Sequence, residues 1–207
     1  RNEQIGMSKI KNVLKSILSV VFSVNIGGTP VPKLENGYYQ SYYKPTNPEK
    51  CININPEGKL KGLPSENIKK DSLGKPPYAR SSYESRMFTW LDLNKNVLEW
   101  GSEVIQIDYI NRNDRKLHRY WLDIYMVMRH SDGIVRKHIV EVKPLKKLTP
   151  PKMPKKKTKR SMFNYENAMA EYVQNDSKWA SARIWAKSKG MVFSTVTQEE
   201  LFDKPPA

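Results

Sequence analysis

The sequence predicts an α/β fold: a small mixed sheet flanked by helices, preceded by an N-terminal helix and an extended arm. Three observations carry that expectation. Residues 118–128 (HRYWLDIYMVM) and 137–144 (KHIVEVKP) read as two strands around a short turn. Residues 80–92 and 164–190 place apolar residues at helical spacing. The apolar run MVFSTV (191–196) then follows a glycine and reads as a buried strand.

Taken in order, Ile10, Val13, Leu14, Ile17, Leu18, Val21 and Phe22 follow helical spacing, with Lys9, Lys11 and Lys15 around them. The run lacks a small-residue cleavage site and is too short and interrupted for a membrane span. It reads as a helix that docks on another protein or on the chain's own core. Residues 25–79, rich in Pro, Gly, Asn and Lys, read as an extended arm with little core of its own. The expected division is 1–35 as helix and linker, 36–75 as arm, and 76–207 as the main domain.

RSSYESRMFTWLD (80–92) places Glu84, Met87, Phe88 and Leu91 on one stripe. Ser81-x-x-Glu84 also has the form of a capping box, so Glu84 is open to two readings, a helix cap or a carboxylate aimed into a site. VLEWGSEVIQIDYI (97–110) reads as a strand with Val104, Ile105 and Ile107 apolar. NYENAMAEYVQNDSKWASARIWAKSKG (164–190) reads as a helix with a break near Asn175-Asp176, a buried side of Trp179, Ala182, Ile184 and Trp185, and Gly190 as its cap. The tryptophans read as core. Gln198–Phe202 reads as a short last helix.

The register of the central hairpin matters most. Alternation puts Glu141 and Lys143 on one side of their strand and Val140 and Val142 on the other. Asp123 shares a face with Trp121 and Tyr125, opposed by Leu122, Ile124 and Met126. A two-residue Asp132-Gly133 turn would pair Asp123 with Val142 and separate the carboxylates. A three-residue Ser131-Asp132-Gly133 loop, with Gly133 at a bulge, pairs Asp123 with Glu141, Leu122 with Val142 and Ile124 with Val140. Both readings preserve alternation, but only the second joins the carboxylates, and it is the expected register.

Adjacent carboxylates repel across a sheet. A hard cation removes that penalty, and Mg²⁺ takes one or two carboxylates together with water and phosphate oxygens. Such an ion polarises a phosphoryl oxygen and lowers the pKa of a bound water. Lys143 is placed to orient that water or neutralise developing charge. Asp123, Glu141 and Lys143 are thus the residue types that hydrolyse a phosphodiester, although an ordinary half-exposed hairpin also carries Glu–Lys pairs.

The order Glu84, Asp123, Glu141-x-Lys143 resembles the PD-(D/E)xK restriction-endonuclease-like nucleases. YKPTNPEK (43–50), RSSYE (80–84), NVLEWGSE (96–103), HRYWLD (118–123), EVKP (141–144) and the closing KWASARIWAKSKGMVFSTVTQEEL together resemble, more closely, the head completion nucleases of T-even-like tailed phages. TnsA-type transposon nucleases are similar at greater distance. The resemblance spans about residues 42–202. It implies a restriction-endonuclease-like fold and a Mg²⁺-dependent DNA nuclease, with Mn²⁺ as a substitute ion, acting in late head maturation. It implies catalytic roles for Glu84, Asp123, Glu141 and Lys143, with Asp123, Glu141 and Glu84 toward metal. It also implies location at the virion head or neck, assembly in the bacterial host cytoplasm, and portal, neck or capsid proteins as partners of the N-terminal helix and arm. Leu122 stands where the wider superfamily often has Pro.

Composition agrees. The net charge of +15 suits a polyanionic partner. The single cysteine, Cys51, excludes an internal disulfide framework. His118, His130 and His138 lack zinc-site spacing. His118 reads as a half-exposed strand residue. No feature points to a small-molecule substrate. The excess charge concentrates in residues 144–160, which contain no acidic residue. Its prolines exclude a regular helix, and it reads as an extended loop leaving the site. Lys146, Lys147, Lys152, Lys155, Lys156, Lys157, Lys159 and Arg160 are its candidate DNA contacts, giving affinity without sequence preference.

Overall fold

The computed structural model describes residues 40–201. The expected N-terminal helix over Ile10–Phe22 and the end of the chain from Phe202 lie outside the described residues.

Strand β1 (Ser41–Tyr42) pairs antiparallel with β2 (Tyr78–Ala79). Helix α1 (Ser82–Leu93) follows, then strands β3 (Val97–Ser102), β4 (Gln106–Asn111), β5 (Lys116–Trp121), β6 (Ile124–Arg129) and β7 (Val135–Val142). Helix α2 (Lys159–Ser188) crosses to β8 (Val192–Val196), and α3 (Gln198–Leu201) closes the described chain. β3, β6, β7 and β8 form a four-stranded sheet in that order, antiparallel except for the parallel β7–β8 pair. β4 and β5 form a separate ribbon. The fold is the expected mixed α/β arrangement, a small sheet flanked by helices.

The two faces of the sheet have different covers. Ile124, Met126, Val140 and Val142 pack on Met87, Phe88, Trp90 and Leu91 of α1 and on Leu201. Tyr125 and Ile139, on the other face, pack with Ala182 and Ala186 of α2 and with Tyr109 and Tyr120 of the ribbon. The apolar stripe of α1 is thus its buried face, and Ser81 caps the helix by accepting the Glu84 N–H at 3.2 Å.

Two single-strand expectations become two strands each. In 97–110 the chain leaves the central sheet at Glu103, whose φ of 51° is a left-handed conformation. In 118–128 it bends at Leu122–Asp123. The two bends face each other: Glu103 N–H bonds the Asp123 carbonyl at 3.1 Å, and Leu122 N–H bonds Ile105 O at 3.0 Å. They also shift the register by one, since Ser102 lies opposite Ile124 but Gln106 opposite Trp121. Alternation therefore restarts at the bend. Leu122 joins Tyr125 on the α2 side, while Ile124 and Met126 face α1. Trp121 is left 45% exposed, unlike the buried Trp90, Trp100 and Trp179. Gly101 fits the close packing here, because a Cβ would stand 2.9 Å from Val104 Cγ1.

The segment expected as an extended arm lies against the chain's own sheet. It adds Cys51, Ile52 and Leu60 to the core, and its backbone and polar side chains cover the free edge of β3. Ile52 N–H donates to Trp100 O at 2.8 Å, and the Asn53 amide exchanges bonds with Ser102 N and O, both at 2.8 Å. Cys51 and Ile52 are fully buried. The buried Asp92 carboxylate accepts the Thr46 and Asn47 N–H groups at 2.7 and 3.0 Å, fixing the entry of this segment.

Helix α2 runs unbroken for 30 residues, capped by Thr158 and Ser161. Of the two residues at the expected break, Asn175 is buried and Asp176 pairs with Arg112; the next residue, Ser177, donates to Val173 O at 2.7 Å while accepting from Arg112 Nε at 3.1 Å. Trp179 and Ala182 are buried as expected, but Ile184 is 73% exposed. β8 is half-buried rather than buried, because it forms the outer edge beside β7.

Candidate active site

The site lies where β6, β7 and the β4–β5 ribbon meet. Pairs Ile124–Val140 through Arg129–Val135 fix the hairpin register, and Gly133 takes φ +78° in the three-residue loop. Asp123 therefore comes opposite Glu141, the register expected from the three-residue loop, whereas Leu122, expected opposite Val142 on the same face, is buried on the α2 side because the bend restarts the alternation. The bend changes how Asp123 gets there. It stands just before β6, and its Oδ2 accepts the Val142 N–H at 3.0 Å, serving β7 where the neighbouring strand has turned away.

Glu141 is 2% exposed and is gripped on both oxygens. Lys143 Nζ lies 3.0 Å from Oε1, and the Tyr120 hydroxyl donates to Oε2. Lys143 also stands 3.7 Å from Asp123 Oδ2, and its backbone N–H is tied to Val196 O of β8 at 2.9 Å. The Asp123 and Lys143 side chains are 23% and 28% exposed, so the cluster is buried behind and open in front.

The electrostatics follow from that geometry. Burial, and then Glu141 beside it, push Asp123 well above the ordinary carboxylate range, against the pull of Lys143 and the Val142 N–H. Burial works against the Lys143 ammonium, but Asp123 and Glu141 outweigh it and hold its pKa above the usual lysine range. Lys143 thus remains a cation and a donor, unsuited to accepting a proton. Burial, then Glu141, raises Tyr120, which stays a neutral phenol.

This donor set fits a hard divalent cation in one respect. With both carboxylates ionised, one lysine leaves a net negative charge in a partly buried site, and an ion with oxygen preference supplies what is missing. Asp123 and Glu141 are the residues that would hold it, each oxygen having lone-pair capacity beyond its present bond. The expected third carboxylate does not join them. Glu84 accepts the Ser81 hydroxyl and the Arg80 N–H, both at 3.0 Å, so the capping reading is realised. It reaches Asp123 only as a weaker like charge than Glu141. Among the described residues, no three His, Cys, Asp or Glu side chains gather as a metal cluster.

Of the expected DNA contacts, Lys146 and Lys147 lie in a helical turn over Leu145–Lys147, with Lys147 paired to Glu171. Both line a pocket closed by Tyr172 and Ala168 of α2. Lys152, Lys155, Lys156 and Lys157 are exposed on the irregular stretch that follows, and Lys159 and Arg160 open α2. His118 bonds Asp114 at 2.8 Å and packs on Tyr109.

Sequence reasoning missed three neighbours of the site. Tyr120 has alternation as a signal only once the bend after it is known. Lys178 sits on α2 above the Tyr109 and Tyr120 rings. Glu103, beside Asp123 in the left-handed bend, holds Arg80 and Lys69, the latter at 3.0 Å.

Comparison with known proteins places these features in a family. The profile described as TnsA-like endonuclease N terminal matches residues 94–198, about half of the chain and inclusive of Asp123, Glu141 and Lys143. The head completion nuclease of Enterobacteria phage T4 is 32% identical over 122 residues, covering 59% of this chain and 79% of that protein. No solved structure gives a significant match. The chain therefore belongs to the TnsA-like endonuclease family, in the PD-(D/E)xK class, and is a homologue of the phage T4 head completion nuclease.

Proposed function

We propose that the protein is a Mg²⁺-dependent deoxyribonuclease of phage head completion, cleaving packaged or protruding duplex DNA so that head and tail can join. The observation that carries this reading is the meeting of Asp123 and Glu141 across the hairpin, with Lys143 3.0 Å from one and 3.7 Å from the other, in a chain of this family. The T4 relative bears the name head completion nuclease, and the location in head or neck and the contacts with portal or capsid proteins come to this chain from that kinship.

Mg²⁺, or Mn²⁺ in its place, would polarise the phosphoryl oxygen and make water more acidic. The chain's own residues prepare for this. Tyr120 and Lys143 fix the Glu141 carboxylate, and the Val142 N–H fixes Asp123, so the oxygens are set before substrate arrives. Lys143, held protonated by both carboxylates, donates to an attacking water or a phosphoryl oxygen and stabilises charge developing there. Glu84, from the start of α1, acts on the centre through water or field rather than direct contact. Lys146, Lys147, Lys152, Lys155, Lys156, Lys157, Lys159 and Arg160 bind backbone phosphates. Lys159 and Arg160 occupy the positive end of the α2 dipole, where acidic residues are normally favoured, which leaves that end strongly attractive to phosphate.

The test is cleavage of linear and closed circular duplex DNA with Mg²⁺ or EDTA, comparing wild type with Asp123→Ala and Glu141→Ala. Mg²⁺-dependent cutting lost in both folded variants supports the proposal, and nicking of the circle shows endonucleolytic action. The lack of a three-carboxylate cluster among the described residues favours a second reading, a structural head-completion protein that binds DNA and a connector ring. That reading expects no cutting by wild type, salt-sensitive DNA binding, and loss of particle incorporation when residues 1–40 are deleted.

A further inference from the structure

Lys178 lies in the second half of α2, one turn after Gln174, whose amide donates to the Tyr109 hydroxyl at 3.1 Å. Its ammonium stands 5.4 Å from the Tyr120 ring centre and 5.9 Å from that of Tyr109. Tyr120 is the residue whose hydroxyl grips Glu141. Lys178 is half-buried, yet among the described residues it has no ion pair and no hydrogen bond. By contrast, Lys143 is paired with both carboxylates, Lys147 with Glu171 and Arg112 with Asp176.

Two aromatic faces offset only part of what a half-buried ammonium loses on leaving water. Burial accordingly depresses the Lys178 pKa, and Glu141 is its strongest opposite charge. The shortfall is what an anionic ligand would recover. Phosphate fits, because the carboxylates that act on Lys178 are those of the cleavage centre, and the Tyr109 and Tyr120 rings place its ammonium beside that centre.

We propose that Lys178 is a second phosphate-binding lysine of the cleavage centre, contacting a non-bridging oxygen of the DNA backbone beside the Asp123–Glu141–Lys143 cluster. This rests on the nuclease reading and adds a residue that the Asp, Glu-x-Lys pattern does not include. The contact lowers the cost of bringing a negative phosphate next to two carboxylates, and it draws the strand toward α2 rather than toward the Arg80–Glu103 side.

The test measures duplex DNA binding by the full chain in EDTA across a salt series, for wild type, Lys178→Met, Lys178→Gln and Lys178→Arg. One lost phosphate contact makes the slope of log K against log salt shallower by about 0.9 in the Met and Gln variants, with Arg close to wild type. With Mg²⁺, kcat falls about tenfold or more in Met and Gln. Thermal melting establishes that each variant is folded, and having two neutral side chains protects the test against failure of one. A wild-type slope in a folded neutral variant overturns the proposal, whatever happens to the rate. If wild type binds but cuts nothing with Mg²⁺, the nuclease reading fails while the slope still decides whether Lys178 meets phosphate.

Discussion

The β6–β7 hairpin ends at one side with Asp123 opposite Glu141 and at the other with His130 stacked on His138. Each is a pair of like titratable groups, and the two are stabilised in opposite ways. The histidines stand Nε2 to Nε2 at 2.8 Å, so one ring donates to the other and both are neutral. His138 is 2% exposed, and burial, then His130 and Arg136, lower its pKa to about 4. Asp132, also at that turn, is clasped by Arg136. The histidine end is thus closed by a shared hydrogen bond. The carboxylate end has one lysine for two acids, and burial raises Asp123 instead of bringing it a full set of partners. Similar local pairing yields a finished structural contact at one end and an electrostatically incomplete site at the other.

Breaking the carboxylate end should have the largest effect. Asp123→Asn keeps an acceptor for Val142 but removes a charge. Cleavage should fall by about a thousandfold or more, while the protein gains on the order of 1 kcal/mol from relieved repulsion. Initial rates and thermal melting report both, and a lower melting temperature would mean that the two acids are not opposed at the resting site.

Lys143→Met sharpens the same contrast. Its kcat should drop by about 10²–10³, and the melting temperature should fall because Asp123 and Glu141 lose their shared cation. Adding Asp123→Asn should restore much of that stability but none of the activity. A double-mutant cycle with no coupling would show that Lys143 does not stabilise the pair.

The histidine end should respond only in stability. The folded pKa of His138 lies below its unfolded value of 6.5, so the unfolded chain binds more protons between the two. The stabilisation is fully present above about pH 6.5 and is lost as the pH falls toward 4, amounting to about 3 kcal/mol. Urea melts across that range should show a slope that His138→Leu flattens. If wild type and variant keep the same slope, the pair is not held neutral. Cleavage rates at neutral pH should be the same in both.

Much of the carboxylate end was legible in the sequence. Gly133 allowed a three-residue loop, and the pairing of Asp123 with Glu141 selected that register from two that both keep the alternation; the Ile124–Val140 pair follows it. The stripe Met87, Phe88 and Leu91 likewise marked the buried side of α1, since helical neighbours are set by local spacing. The capping alternative for Glu84 was visible in Ser81-x-x-Glu84, but the pattern had no means of choosing between cap and ligand.

What only the tertiary structure decided depends on contacts between distant segments. The breaks at Glu103 and at Leu122–Asp123 form against each other; Gly101 stands two residues before the first, while no Gly or Pro marks the second. That fold line splits a ribbon from the sheet, brings Tyr120 onto Glu141 and leaves Trp121 outside. Lys178 reaches the same place from a helix more than thirty residues further along the chain, and residues 40–79 cover an edge strand, which a composition that suggested an extended arm did not show. The sequence by itself determined which acidic and basic residues could meet, their order and the hairpin register, because periodicity encodes near neighbours. The surroundings that grip, charge and open the site were decided in three dimensions, where packing and hydrogen bonding between remote segments outweigh local preference.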